Sequence, residues 1–262
     1  MRRMVLTVLV VAGVFAVASA AQAASILDTK HNLSSVAKTN AGNIQTADTS
    51  EVCVFCHTPH GADTTVAAPL WNRAKTAATF QVYTSPTLDS AVGQPNGTSL
   101  ACLSCHDGTI AFDALRNQPG SGLFDANAPS AGWTFAGGSN KMPVGRITNL
   151  GDGAADPDLR NDHPISMKYS DARSPSSGSA LETSGFYPLQ TNGPNGRNYV
   201  NKDTATFDIG ALPLYTSTIG GAEKDYVQCT SCHDPHRSDT QTFLRKSNTG
   251  SALCLTCHKK DG

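Results

Sequence analysis

The chain has 262 residues, of which only 6% are aromatic and 16% charged, with 23 glycines and 14 prolines among them. The formal charge is −1, from 20 Lys plus Arg against 21 Asp plus Glu, so there is no basic stripe to neutralise phosphates and nucleic acid is excluded as a partner. No long periodic apolar pattern can be traced either, which leaves a mostly irregular coil with few short helices and strands as the expected fold.

Arg2 and Arg3 precede the apolar run MVLTVLVVAGVFAVA, and small-residue sites follow at Ala18-Ser19-Ala20 and Ala21-Gln22-Ala23. That is the plan of a secretory signal peptide over residues 1–23, cleaved near residue 20 or 23. A membrane anchor is the weaker reading, because the run is short and no second long apolar segment follows downstream. The mature chain, residues 24–262, is expected outside the cytoplasm, extracellular or at the cell surface, with the periplasm as the alternative. The first cysteine is Cys53, too far from the cleavage site to carry a lipid. Loss of Arg2 and Arg3 leaves 18 basic residues against the 21 acidic ones, a formal charge of −3.

Along the mature chain, Phe80-Gln81-Val82-Tyr83 predicts a short strand. Asp107 to Arg116, with Ile110, Ala111, Ala114 and Leu115 along one side, predicts a short helix. Turn formers such as Asp152-Gly153 and Gly193-Pro194-Asn195-Gly196 predict loops. Asp152, Asp156, Asp158 and Asp162 could hold calcium, but their spacing is not that of an EF-hand and a solvated acidic loop is the better reading.

The chemistry is carried by the cysteines. All eight fall in Cys-x-x-Cys pairs with a histidine next in line: Cys53/Cys56-His57, Cys102/Cys105-His106, Cys229/Cys232-His233 and Cys254/Cys257-His258. A disulfide framework in an exported protein gives no reason for four such histidines. Zinc half-sites explain the thiols but leave the histidines idle, and a thioredoxin-like pair needs a βαβ context that is not visible. Covalent haem uses every residue, since two thioethers pin the porphyrin edge and the adjacent imidazole faces the iron. Four c-type haems follow, and with so little periodic structure the haems must supply most of the core. Apo-protein is not expected to fold.

Four histidines remain: His31, His60, His163 and His236. Taken singly each would be read as a surface or hydrogen-bonded residue, but four spare imidazoles match four irons and give bis-histidine ligation. Met142 and Met167 are competing axial ligands, better read as packing. His60 lies three residues after His57 and cannot pass round the macrocycle, so it serves another iron; His236 stands in the same relation to His233. Chain order assigns His60 to the haem on Cys102/Cys105 and His236 to the haem on Cys254/Cys257, leaving His31 and His163 for the other two. Two haem-pair lobes are expected, at about 24–120 and 221–262, joined by a loop-rich segment within one domain.

The segments Lys30-His31-Asn32-Leu33-Ser34, Cys53 to His60, Pro69-Leu70-Trp71-Asn72-Arg73, Asn161-Asp162-His163-Pro164-Ile165-Ser166 and Ser251 to His258 resemble the multihaem c-type cytochromes of metal-reducing bacteria. The likeness is to the tetrahaem type that polymerises into extracellular filaments. The resemblance implies a continuous haem chain, a homopolymer in which a histidine of one subunit completes a haem of the next, and external electron acceptors or other redox proteins as partners. His31, about ten residues into the mature chain, is the expected bridge. Electron transfer is therefore expected and an enzyme is not, because four spare histidines leave no open iron for a multihaem reductase. A soluble periplasmic shuttle is the alternative to the filament.

Overall fold

The computed structural model describes residues 25–37, 44–88, 90–119, 130–142, 157–173, 185–202, 210–218 and 220–259. The secretory segment and Asp152, Gly153 and Asp156 lie outside them. The fold is mostly coil, with a few short helices and two small sheets. Helix α1 is Ser99–His106, and α2 (Tyr169–Arg173) and α3 (Cys229–Cys232) are one turn or little more. Strand β1 (Met167–Lys168) pairs antiparallel with β5 (Tyr226–Val227). Strands β2 (Leu189–Gln190), β3 (Tyr199–Val200) and β4 (Leu212–Pro213) form an antiparallel meander.

Apolar packing is divided among small clusters, the largest of them holding five buried side chains. One gathers Met167, Tyr169, Val200, Leu214 and Val227. Another gathers Val54, Phe55, Phe112, Leu115 and Phe135, with Met142 packed against it. Both methionines thus sit among apolar neighbours. Clusters of this size bury little surface for a chain of this length, as a core templated by another group requires.

Two expected elements are not formed. The helix expected over 107–116 stops before it starts: α1 ends at His106, the Asp107 carboxylate takes the N–H and hydroxyl of Thr109 at 2.8 and 2.9 Å, and Gly108 adopts φ +73°. Ala111, Ala114 and Leu115 are buried all the same, but on an irregular segment. The carbonyls of Ala111 and Phe112, which a helix would use internally, accept from the buried Arg73 guanidinium at 2.6 and 2.7 Å. The strand expected over 80–83 is reduced to one parallel bridge between Gln81 and Asp158. Beside it the Gln94 side chain satisfies both the N–H and the C=O of Phe80 at 2.8 Å, the work a neighbouring strand would do. The turn at 193–196 forms as expected, with Asn195 at φ +59°.

Candidate haem-binding site

No disulfide joins any of the eight cysteines. Each of the three motifs other than Cys102/Cys105-His106 has its histidine fixed by a strap of chain running antiparallel to it. His57 bridges Trp71, His233 bridges Leu244 and His258 bridges Phe186. In the first, Asn72 N–H donates to Cys56 O and Thr58 N–H to Leu70 O, at 2.9 Å each; in the second, Arg245 N–H donates to Cys232 O and Asp234 N–H to Phe243 O, at 2.8 Å each. Leu70 and Phe243 take the left-handed conformation, at φ +53° and +60°, a strain that side chains of this size rarely accept outside functional loops. His106 is held instead by the last turn of α1.

The straps also choose the ring nitrogen. Nδ1 of His57 meets Pro69 O at 2.7 Å, and Nδ1 of His233 meets Thr242 O at 2.7 Å. Nδ1 of His163 meets Pro164 O at 2.9 Å. A carbonyl only accepts, so Nδ1 carries the proton and Nε2 keeps the lone pair a metal needs. Burial, then the neighbouring His106, pushes His31 down to about 4. Burial also lowers His106, helped by His233, and lowers His258, helped by His163. All three stay neutral, the ligating form.

The imidazoles stand in pairs. Ring centres are 6.0 Å apart for His31 and His106, 6.1 Å for His57 and His236, and 6.3 Å for His163 and His258. Metal–imidazole bonds of about 2 Å, with roughly 1 Å more from nitrogen to ring centre, put two rings that share one metal about 6 Å apart. The donor set therefore fits bis-histidine iron. Among the described residues no three His, Cys, Asp or Glu converge as a zinc or calcium site demands, and the Asp158 carboxylate is taken by Arg160.

These pairs correct the assignment made from chain order. His31, not His60, stands against His106, and His163, not His236, stands against His258. Chain order failed because the histidine nearest in sequence is not nearest in space. His31, the expected bridge, stacks on Phe243 of its own chain with ring centres 4.4 Å apart. His60 and His233 are both exposed; His233 lies close enough to His31 and His106 to act on both, but among the described residues it forms no ring pair with either.

The attachment sites touch in sequence order. The thiol of Cys56 is pushed up to about 12 by burial and next by Cys105. The neighbouring Cys102 and Cys229 thiols act on each other, raising the first and lowering the second. Cys232 is pushed up to about 11 and Cys257 to about 12, by burial and by neighbouring thiols of the third and fourth motifs. Geometry gives the same order: Cys56 and Cys105 pack on one cluster, Ser99 takes the Cys229 N–H at 3.0 Å, and Lys246 of the third motif's strap reaches Thr256 in the fourth at 3.0 Å. A cavity of about 540 Å³ opens beside Cys53 and His57, lined also by Val54, Thr58 and Gln118.

Sequence reasoning missed an internal repeat. His31-Asn32-Leu33-Ser34 corresponds to His163-Pro164-Ile165-Ser166, the first motif and its strap 69–73 to the third motif and 242–246, and the second motif to the fourth. The chemistry repeats too. Arg73, ending one strap, bonds the Ser104 carbonyl within the second motif at 3.4 Å. Lys246, ending the other, bonds the Thr256 hydroxyl at the same place in the fourth, at 3.0 Å. The signal was a Cys-x-x-Cys-His-x-Pro-His stretch followed at unequal distance by Cys-Leu-x-Cys-His.

Residues 222–262 match the family model described as a doubled CXXCH motif. The match supports a multihaem c-type cytochrome, with covalent haem iron and electron transfer as its chemistry. No curated protein matches the chain.

Proposed function

We propose that the mature chain is exported, carries four covalent haems and conducts electrons along them as one subunit of an extracellular filament. The observation that supports the conduction reading is the succession of neighbouring attachment sites: Cys56 and Cys105 pack on one apolar cluster, Ser99 of the second motif's helix accepts the Cys229 N–H at 3.0 Å, and Lys246 of the third motif's strap reaches Thr256 in the fourth at 3.0 Å. Each haem supplies reversible one-electron chemistry when bound. The chain's own residues fix the rest: eight thiols hold the ring edges, His57, His106, His233 and His258 take one face, and His31, His163 and His236 take the opposite face of three of the four.

Paired imidazoles at six-coordinate iron leave no position for substrate, which favours transfer over reduction of a small molecule. The polymer reading rests on His60 and His233, the two imidazoles that the three ring pairs leave over. His60 is the remaining ligand and the haem of His233 the remaining site; among the described residues no ring pair joins the two, so His60 of one copy completes the third haem of another. Such a contact joins unlike surfaces and propagates when it does not close into a ring.

His60→Ala tests it. The expected variant keeps four haems, loses filaments in electron micrographs and gains one open iron per chain. Unchanged filaments with four low-spin haems would remove His60 from the bridge, and a wild-type protein that is only monomeric would favour a soluble shuttle.

A further inference from the structure

Inside one copy the two repeat units meet at a joint with four parts. The hydroxyls of Thr98 and Thr230 meet at 2.5 Å, beside Cys102 and Cys229. The Ser99 hydroxyl accepts the Cys229 N–H at 3.0 Å and donates to the Gln228 side chain at 2.5 Å. His31 of the first unit stacks on Phe243 in the strap of the second. His236 of the second unit reaches back to His57 in the first.

Shifting every partner by one repeat unit gives a second set. Cys254 replaces Cys102, and Cys53 replaces Cys229. Ser251 replaces Ser99, and Val52 replaces Gln228. His163 replaces His31, and Leu70 replaces Phe243. Finally, His60 and His233 replace His236 and His57. Most of this second set is left uncovered by the single chain, Val52 being half-buried. Cys53 and Cys254 are the two exposed cysteines of the eight. Ser251 and His163 are exposed where Ser99 is buried and His31 half-buried. Leu70 is 54% exposed, one of three large apolar side chains left open among the described residues. Ser251 also sits three residues before Cys254, as Ser99 does before Cys102.

We infer that the joint between copies reproduces the joint within a copy. The second unit of one molecule then meets the first unit of the next, Cys254 beside Cys53, Ser251 beside Val52 and His163 over Leu70. This deepens the filament reading and rests on it. The unit of the wire becomes a haem pair rather than a subunit, and passage from the fourth haem to the next copy's first occurs at the same kind of contact as passage from the second to the third. The two faces differ from each other, so the arrangement is head-to-tail and adds copies without limit.

The test places Val52→Cys and Ser251→Cys in one chain, because Ser99 and Gln228, their counterparts, are in direct contact. Mild oxidation of assembled material is expected to give a ladder of covalent multimers on a denaturing gel, with neither single substitution giving one. A double variant that forms filaments with four haems and no ladder overturns this joint while leaving the filament reading intact. Wild-type material that is never polymeric overturns both. If the double variant does not assemble, a map of wild-type filaments decides: Cys254 against Cys53 of the next copy sustains the inference, and any other pair of motifs at the contact ends it.

Discussion

His236 stands against His57 with ring centres 6.1 Å apart, although one follows the third attachment motif and the other belongs to the first. The short Asp234-Pro235 link prevents His236 from serving the haem beside it, so the residue spans from one repeat unit to the other. Under the proposed function, ligation would also be tertiary structure: breaking one bond to iron would loosen the contact between units.

Replacing His236 by Ala should therefore damage the haem on Cys53/Cys56 and spare the haem on Cys229/Cys232. The variant is expected to show one high-spin or water-ligated iron in four, by electron paramagnetic resonance and by stoichiometric carbon monoxide binding to one haem. His31→Ala should open the haem on Cys102/Cys105 instead. Filaments should survive that change, because His31 is spent inside its own chain.

Four attachments are expected in the wild-type protein, and intact mass after maturation counts them. Cys56→Ser should weaken or remove the first haem alone, with the other three retained. Reduced wild-type protein should bind little carbon monoxide, and potentials should be low, since methionine is the axial ligand that raises them and both Met142 and Met167 are packed in apolar clusters.

The attachment cysteines and their histidines were legible in the sequence because haem chemistry fixes their spacing. The coil-rich fold was legible because Gly, Pro and sparse aromatics leave no long periodic face. The pairing of histidines was not, because an imidazole such as His236 is brought against His57 by the packing of two units, which chain order does not encode. The helix expected over 107–116 shows the converse case. Its apolar residues are buried as the pattern implies, but the Arg73 guanidinium, 0% exposed, captures the carbonyls and holds the segment open. Nothing in the local sequence announces an arginine arriving from so far upstream.

Asn72 is the residue whose loss should cost most for its size. Its buried amide donates to Val54 O at 2.8 Å and Asn117 O at 3.0 Å, and its carbonyl accepts the Asn117 N–H at 2.9 Å. Asn72→Ala strands these groups away from water, at about 1–3 kcal/mol. Because the same residue's N–H anchors the Cys56 carbonyl, thermal unfolding of the matured variant should begin at the first haem, seen as an early loss of its low-spin absorption.

Acid should act partly through Asp158. Its carboxyl is held below the usual range by hydrogen bonds from the Arg160 side chain, so the folded state favours the ionised form. A depressed carboxyl contributes its full stabilisation above the ordinary aspartate pKa and loses it as pH falls through the lowered value. Asp158→Asn should therefore flatten the fall in melting temperature below about pH 4. An acid limb as steep as that of the wild type would assign the sensitivity to other groups.

Leu70 separates assembly from haem binding. Its side chain is 54% exposed while its backbone sits at φ +53°, a conformation that glycine adopts without cost. Leu70→Gly removes apolar surface that the single chain does not bury and relieves the backbone at the same time, so the monomer should keep four haems and its unfolding temperature. Covering the exposed half of a leucine is worth about 1 kcal/mol, which corresponds to roughly a fivefold rise in the concentration needed to polymerise. Sedimentation of matured protein over a dilution series measures this directly. If wild type and variant disassemble at the same concentration, Leu70 is not covered in the polymer, and the strap of the first motif lies outside the joint.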